Sequence, residues 1–475
     1  MNIRELTIET ALKRMRAGAL SATELILSAL ENIEKYNKIY NVLLTVVDKE
    51  SLLGEAKKIE TSGYDKPLAG IPIVLKDLFS TKGIRTTAGS KVLKSYVPSY
   101  DATVVKKLRE AGAIVIGKAN QDAFAHGSTG ENSDFGSTSS AYDVKYVAGG
   151  SSSGSAVAVA LGMCLASTGT DTGGSVRVPA SFNNLVGLKP TYGRVSRYGI
   201  IAMASSLDSV GHMTKTVYDN ALLLSVTAGI DPYDATTGLQ RVPDYLASLS
   251  SLKSLKGITI GVSPEYLVVG KKVTDGMNPI LEKQTEEALA VFTSLGATIK
   301  EIDLPHTKDA LETYYVLCPS EVSSNLGRYD GIRYGKGRDA FGLEARRRIM
   351  IGTYALSAGY YDAYYTTAQK VRSIVCQELE KAFESVDIVF APVSPSPSSI
   401  VGELVDDPMS LYLSDIYTVP VNLAGLAALS LPAGFVGNLP VGIQIIGKQW
   451  SEDRLYAIAS SYEKKTEWYK KGPIL

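Results

Sequence analysis

Two clusters of small residues and one lysine carry the chemistry open to this sequence. The first cluster, GGSSSGS, runs from Gly149 to Ser155, and the second, DTGGS, from Asp171 to Ser175. Lys76 ends the apolar run IPIVLK. Cleaving an amide requires an activated hydroxyl, a base that takes its proton, and donors for the developing oxyanion. A lysine can be that base once burial draws its pKa toward neutrality, because a low dielectric disfavours the ammonium form. Lysines at strand ends are commonly solvated, so Lys76 alone specifies nothing. Dense glycine equally fits tight turns or close helix–sheet packing.

Two other readings of the first cluster have specific requirements. Gly149 and Gly154 are spaced as in a phosphate-binding loop, but Ser155 stands where the lysine that reaches the terminal phosphates is needed. Gly150-Ser151-Ser152-Ser153-Gly154 matches the pattern of a nucleophile elbow, which needs a strong preceding strand and a histidine paired with an acid. The chain has only three histidines, His126, His212 and His306, none in a recognisable pairing and none at metal-ligand spacing. The remaining reading joins both serine clusters to Lys76.

The elements that must position these residues alternate. From residue 69 onward short apolar runs (AGIPIVL, GAIVIG, MCLAST) alternate with helical stretches (DATVVKKLREAG, SAVAVALG), and the rhythm returns at GITIGV, DIVFAPV, AALSLPAG and VGIQIIG. This predicts an α/β fold with a large mixed, mostly parallel central sheet covered by helices on both faces. A single domain over 1–475 is expected: a helical segment over 1–65, a core over about 66–229, and a part over 257–475 completing the same sheet. Ser21 and Glu24 form a capping box for one early helix, and 230–256 reads as a linker or long loop. The tyrosine-rich GYYDAYY at 359–365 falls in a helical pattern, where packing is the expected role.

Composition narrows the function. Lysine plus arginine equals aspartate plus glutamate at 49 each, so no net field recruits nucleic acid or membrane, and an anionic substrate needs a local patch or a partner. Cys164, Cys318 and Cys376 are widely spaced and fit neither a disulfide framework nor a metal site, which points to a reducing, cytoplasmic setting. The N-terminus lacks a signal-peptide pattern, and no run is long and apolar enough to span a bilayer.

GGSSSGS, then DTGGSVRVPASFNNLVGLKPTYGRVSRYG, and the upstream LAGIPIVLKD together resemble the amidase signature family, over nearly the whole chain and most densely from 69 to 215. The resemblance implies that Ser175 is the acylating nucleophile, that Ser151 follows a cis peptide bond and bridges, and that Lys76 is the base acting through Ser151. It implies an oxyanion hole from backbone N–H groups around Thr172, Gly173 and Gly174. Arg177 belongs to the same signature, and an ion pair with an acid such as Asp171 is expected.

Within that family, DGIRYG (330–335), RRRIMIGTYALSAGYYDAYY (346–365), 415–434 and LPVGIQIIG (439–447) are similar to the glutamine-hydrolysing components of tRNA-dependent amidotransferases. That similarity implies glutamine as substrate, with Arg348 and Asp415 meeting its α-carboxylate and α-ammonium. It also implies B and C subunits as heterotrimer partners. Misacylated tRNA is then held mainly by the B subunit, which uses ATP and magnesium, with no cofactor or metal in this chain. The residues alone equally allow Arg348 on the solvated face of a basic helix and Asp415 as a helix cap. The alternatives are a stand-alone amidase of a small amide and a catalytically silent scaffold subunit.

The chain departs from the family in two places. The family's usual strip resembles NMDEFAMGSSTENSAFG, whereas here it reads NQDAFAHGSTGENSDFG, so that Gln121, Ala123, His126, Thr129 and Gly130 differ. This strip borders the acyl pocket in the family, which makes His126 a candidate substrate contact, with a hydrogen-bonded structural histidine as the alternative. The chain between Tyr334 and Arg346 is also shorter than usual.

Overall fold

The computed structural model describes residues 2–267, 279–332, 336–404 and 407–475. Arg333, Tyr334 and Gly335 of the DGIRYG stretch lie outside the described residues. Eleven strands form one sheet: β1 (Leu43–Val46), β2 (Pro72–Lys76), β3 (Ile114–Ala119), β4 (Ala166–Asp171), β5 (Val186–Lys189), β6 (Ser209–Thr214), β7 (Thr259–Val262), β8 (Thr298–Glu301), β9 (Ile388–Pro392), β10 (Ala427–Val436) and β11 (Leu439–Gly447). Their order is β1-β3-β2-β4-β6-β5-β10-β11-β9-β7-β8, so strands from both parts of the chain pair in one sheet.

The sheet is mixed and flanked by helices, as expected, but it is not mostly parallel. Four neighbouring pairs among the described strands are parallel (β2/β3, β2/β4, β7/β8, β7/β9) and six are antiparallel. The physical reason lies in burial. Continuous apolar runs suggest parallel strands covered on both faces, but antiparallel β10 and β11 are also buried along most of their length and read the same way. A tight connection at Gly437-Asn438 turns β10 back into β11.

The Ser21–Glu24 capping box opens the helix Ala22–Tyr40. The 230–256 stretch is long and mostly irregular, but it is fastened down. Asp231 accepts hydrogen bonds from Thr103 and Ser196, Asp234 accepts from the Arg197 backbone, and Tyr245 is buried. The GYYDAYY run is helical only from Asp362, and in a π-type turn. Its rings pack on one another, with Tyr361 and Tyr365 centroids 5.2 Å apart; Tyr360, Tyr361 and Tyr364 are exposed, while Tyr365 is partly buried against the core.

Two topological facts position the site. β2 and β4 are parallel neighbours, so Lys76 at the end of β2 and Asp171 at the end of β4 come to the same edge of the sheet. Each serine cluster then leads into a helix: Ser151 and Ser152 into Ser153–Ala160, and Ser175 into Arg177–Phe182, both wholly buried. Loops that leave the ends of strands and enter helices are where α/β sheets place their ligands.

Candidate active site

Lys76 is fully buried and its ammonium nitrogen Nζ lies 2.7 Å from Ser151 Oγ and 2.9 Å from Thr170 Oγ1. Its backbone N–H donates to Thr168 Oγ1. Thr168 and Thr170 are two apart on β4 and so project from the same face. Burial drives the Lys76 pKa down from 10.5 to about 7, against the opposing charges of Asp122, Asp208 and Asp171. Its neutral form is therefore well populated near neutral pH, as a base requires.

The Gly150–Ser151 peptide is cis. Ser151 is buried, and the next residue's N–H donates to the Ser175 carbonyl at 3.2 Å, which ties the two serine clusters together. Ser175 is also buried, with 8% of its surface exposed. The backbone N–H groups of Thr172, Gly173 and Gly174 donate to no other described residue and are free to meet an oxyanion. A Cβ on Gly173 would come within 2.8 Å of the Tyr314 ring, and one on Gly174, at φ +143°, within 2.5 Å of Thr418 Oγ1. Glycine lets both walls close on this turn.

The turn is held from below. Asp171 takes Arg177 in a two-pronged pair, with Nε to Oδ2 and Nη2 to Oδ1 both at 3.0 Å, as expected from the sequence. Burial pushes the Asp171 carboxyl up, but the Arg177 charge and hydrogen bonds outweigh it and hold the pKa at about 2. Arg177 also reaches Gln444, Asn422 and the Thr418 carbonyl, so it satisfies every side it presents to the core. Thr172 donates to Asp208 at 2.7 Å, and Thr418 Oγ1 donates to the Gly173 carbonyl.

A second group joins that turn through Thr418, whose hydroxyl meets the carbonyls of both Gly173 and Asp415. Arg348, in the helix Leu343–Ala355, is 3% exposed, whereas its neighbour Arg346 faces solvent. Its guanidinium donates from Nε to Glu344 at 2.8 Å and lies 5.3 Å from the Tyr315 ring centroid. Asp415 is buried and accepts from the Tyr315 hydroxyl at 2.9 Å, so Tyr315 links the two. The Asp415 side chain caps no helix. Burial raises its pKa to about 7, although the Tyr315 hydrogen bond and the Arg348 charge pull the other way. A buried arginine beside a buried carboxylate offers opposite charges to a zwitterion.

His126 is fully buried. Thr170, Tyr315, Glu344 and Thr418 were not singled out from the sequence. Two of these have a sequence signal: STGTD places threonines two apart on the strand leading into DTGGS, and Glu344 stands four residues before Arg348, the spacing of a helical ion pair. Among the described residues no group of histidine, cysteine, aspartate and glutamate is arranged to hold a metal ion.

The sequence profile of the amidase family matches residues 24–456. The chain is 46% identical to the A subunit of glutamyl-tRNA(Gln) amidotransferase from Geobacter sp. (strain M21), over 100% of both chains. It is equally identical to the corresponding protein of Coxiella burnetii (strain Dugway 5J108-111), over 99% of both. Among solved structures it resembles the A subunit of glutamyl-tRNA(Gln) amidotransferase from Thermotoga maritima, with 41% identity, a TM-score of 0.82, and 98% of this chain and 95% of that one covered. It also resembles the peptide amidase of Stenotrophomonas maltophilia, with 29% identity, a TM-score of 0.82, and 99% and 98% covered. A buried lysine on a serine that follows a cis bond, a second serine on a glycine turn, and likeness along the entire chain lead to one assignment: this chain belongs to the amidase signature family.

Proposed function

We infer that the chain is the glutamine-hydrolysing A subunit of a glutamyl-tRNA(Gln) amidotransferase. The observation that carries this reading is the 2.7 Å contact between Lys76 Nζ and Ser151 Oγ in a fully buried setting, next to a buried Arg348 and Asp415. Likeness to relatives of that name along the whole chain supports the choice of amide.

Neutral Lys76 takes the Ser151 hydroxyl proton as Ser151 takes that of Ser175. The Ser175 oxygen attacks the side-chain amide carbon of glutamine, and the N–H groups of Thr172, Gly173 and Gly174 receive the oxyanion. The C–N bond breaks as the relay returns a proton to the leaving nitrogen, releasing ammonia and a glutamyl ester on Ser175. Water adds to the ester by the same relay, giving glutamate and free Ser175. Arg348 and Asp415 hold the α-carboxylate and α-ammonium, which fixes the amide at bonding distance from Ser175.

In this reading B and C subunits complete a cytoplasmic heterotrimer. The B subunit holds the misacylated tRNA and uses ATP with magnesium, and ammonia from this chain converts the tRNA-bound glutamate to glutamine. The test measures ammonia and glutamate from L-glutamine, with the chain alone and with B and C subunits, ATP and glutamyl-tRNA(Gln). Glutaminyl-tRNA formation that requires all components and is abolished in Ser175→Ala is the expected result. Full glutamine hydrolysis with no transfer to tRNA points instead to a stand-alone amidase.

A further inference from the structure

Residues 121–130 form a wall from the Ser151 end of the site to the Arg348–Asp415 end. At one end the Asp122 N–H donates to the Ser151 carbonyl at 3.3 Å, and the Ser128 carbonyl accepts from the Gly150 N–H at 2.6 Å. At the other, Ser128 Oγ lies 3.0 Å from the hydroxyl of Ser414, the residue before Asp415. Between these anchors Phe124 and Ala125 have φ of 53° and 65°, a left-handed region that side chains other than glycine rarely occupy. Phe124 packs on Phe341, at 5.2 Å between centroids, just ahead of the helix that carries Arg348.

His126 follows directly. Its ring is fully buried, and neither Nδ1 nor Nε2 has a hydrogen-bond partner among the described residues. A buried polar group without a partner is costly, and natural folds rarely leave both nitrogens of one ring in that state. Burial, then the nearby Arg348 charge, keep the ring neutral, so that it offers one N–H donor and one lone pair. An apolar side chain at this position would fill the space without that cost. A buried imidazole here makes physical sense when a ligand supplies the missing partner.

We propose that His126 is a specificity residue that donates a ring N–H to the α-carboxylate of an amino-acid amide seated on Arg348. The proposal deepens the glutaminase reading above and rests on it for the identity of the amide. Its contact is made equally in the ground and transition states, so it sets KM and leaves kcat nearly untouched.

Two measurements test it. In the assembled enzyme, His126→Met is expected to raise KM for glutamine roughly tenfold with kcat within about twofold, and His126→Gln, which keeps an N–H donor, to recover most of the loss. An unchanged KM in His126→Met, or a fall in kcat with KM unchanged, overturns the proposal. The second measurement uses the native chain and does not depend on a variant folding. With three histidines in the sequence, the ring signals are few enough to assign by NMR. The His126 ring resonances are expected to shift with L-glutamine and not with γ-aminobutyramide, which is glutamine without its α-carboxylate. No shift, or the same shift with both, overturns it. Failure of the native enzyme to release ammonia from glutamine would refute the glutaminase reading, while the contrast in ring shifts would still decide the role of His126.

Discussion

Lys76 Nζ lies 2.7 Å from Ser151 Oγ, and no described carboxylate forms an ion pair with it. Asp122, Asp208 and Asp171 act on it only through their fields. An ammonium held by a direct carboxylate would keep its proton and could not be a base at neutral pH. With hydroxyls as its hydrogen-bond partners among the described residues, burial prevails, and the amine is poised to exchange a proton near pH 7.

The first prediction follows from that balance. In the proposed relay hydrolysis requires neutral Lys76, so kcat is expected to rise with pH through about 7 and to level above it. Asp122 is the largest of the fields that hold the proton on, and its own pKa is raised by burial to about 6, so it is ionised where Lys76 titrates. Asp122→Asn removes that field, and the acid limb of kcat is expected to move to lower pH. A limb that stays in place or moves up, measured by ammonia release from pH 5 to 9, would sink Lys76 as the titrating base. Lys76→Arg is expected to abolish turnover across this range, because the guanidinium does not deprotonate.

A second prediction concerns the steepness of the profile. Burial brings both Asp415 and Lys76 to about 7, and in the proposed reaction binding needs Asp415 charged while chemistry needs Lys76 neutral. Asp415 has a raised pKa, so its charge is lost as pH falls below about 7. The acid limb of kcat/KM is therefore expected to approach a slope of two, while that of kcat, where the substrate ammonium holds Asp415 ionised, has a slope of one. In Asp415→Asn the kcat/KM limb is expected to return to a slope of one, with KM for glutamine raised about 10- to 100-fold. Equal slopes for kcat and kcat/KM in the native enzyme would place Asp415 outside the binding step.

Much of this site is legible in the sequence. Ser175, Ser151 and the glycine turn lie in short contiguous segments where unusual backbone demands unusual composition, and those segments carry the family resemblance. Lys76 is buried at the end of an apolar run, although a lysine at a strand end is commonly solvated. The groups that were not legible meet the site through topology. Thr418 and Asn422 reach Gly173 and Asp171 across 245 and 251 residues of chain, and Tyr315 reaches Asp415 across 100, from a helix whose packing no local pattern announces. Glu344, by contrast, simply precedes Arg348 by four residues on the same helix. Strand polarity was illegible for the same kind of reason, since burial on both faces gives β10 and β11 the look of parallel strands.

The glycine turn yields a third prediction. Gly173→Ala would place a Cβ 2.8 Å from the Tyr314 ring and displace the turn whose N–H groups receive the oxyanion in the proposed reaction. Loss of one such donor costs about 10²- to 10³-fold in kcat, and that fall is expected with KM changed little. Shrinking the opposing ring in Gly173→Ala/Tyr314→Ala should restore part of kcat if the clash is the cause. A double variant as slow as the single one, with native circular dichroism in both, would show that the turn tolerates the methyl and fails for another reason.

The last prediction separates structure from chemistry at Arg177. Its pair with Asp171 is wholly buried, and removing one partner leaves an uncompensated charge, which costs about 3–5 kcal/mol. Asp171→Asn is therefore expected to lower the denaturant midpoint sharply at pH 7. Arg177→Met/Asp171→Asn should lower it less, because the second substitution removes the stranded charge. The pair also sets an acid limit. The Asp171 pKa is depressed from 3.8 to about 2, so its contribution is fully present above 3.8 and is lost as pH falls through about 2. Between those values the native protein should lose stability with falling pH more steeply than Asp171→Asn, measured by urea unfolding at fixed ionic strength. Identical slopes in the two proteins would mean that the Asp171 carboxyl titrates alike folded and unfolded, and that the two-pronged pair does not anchor the glycine turn.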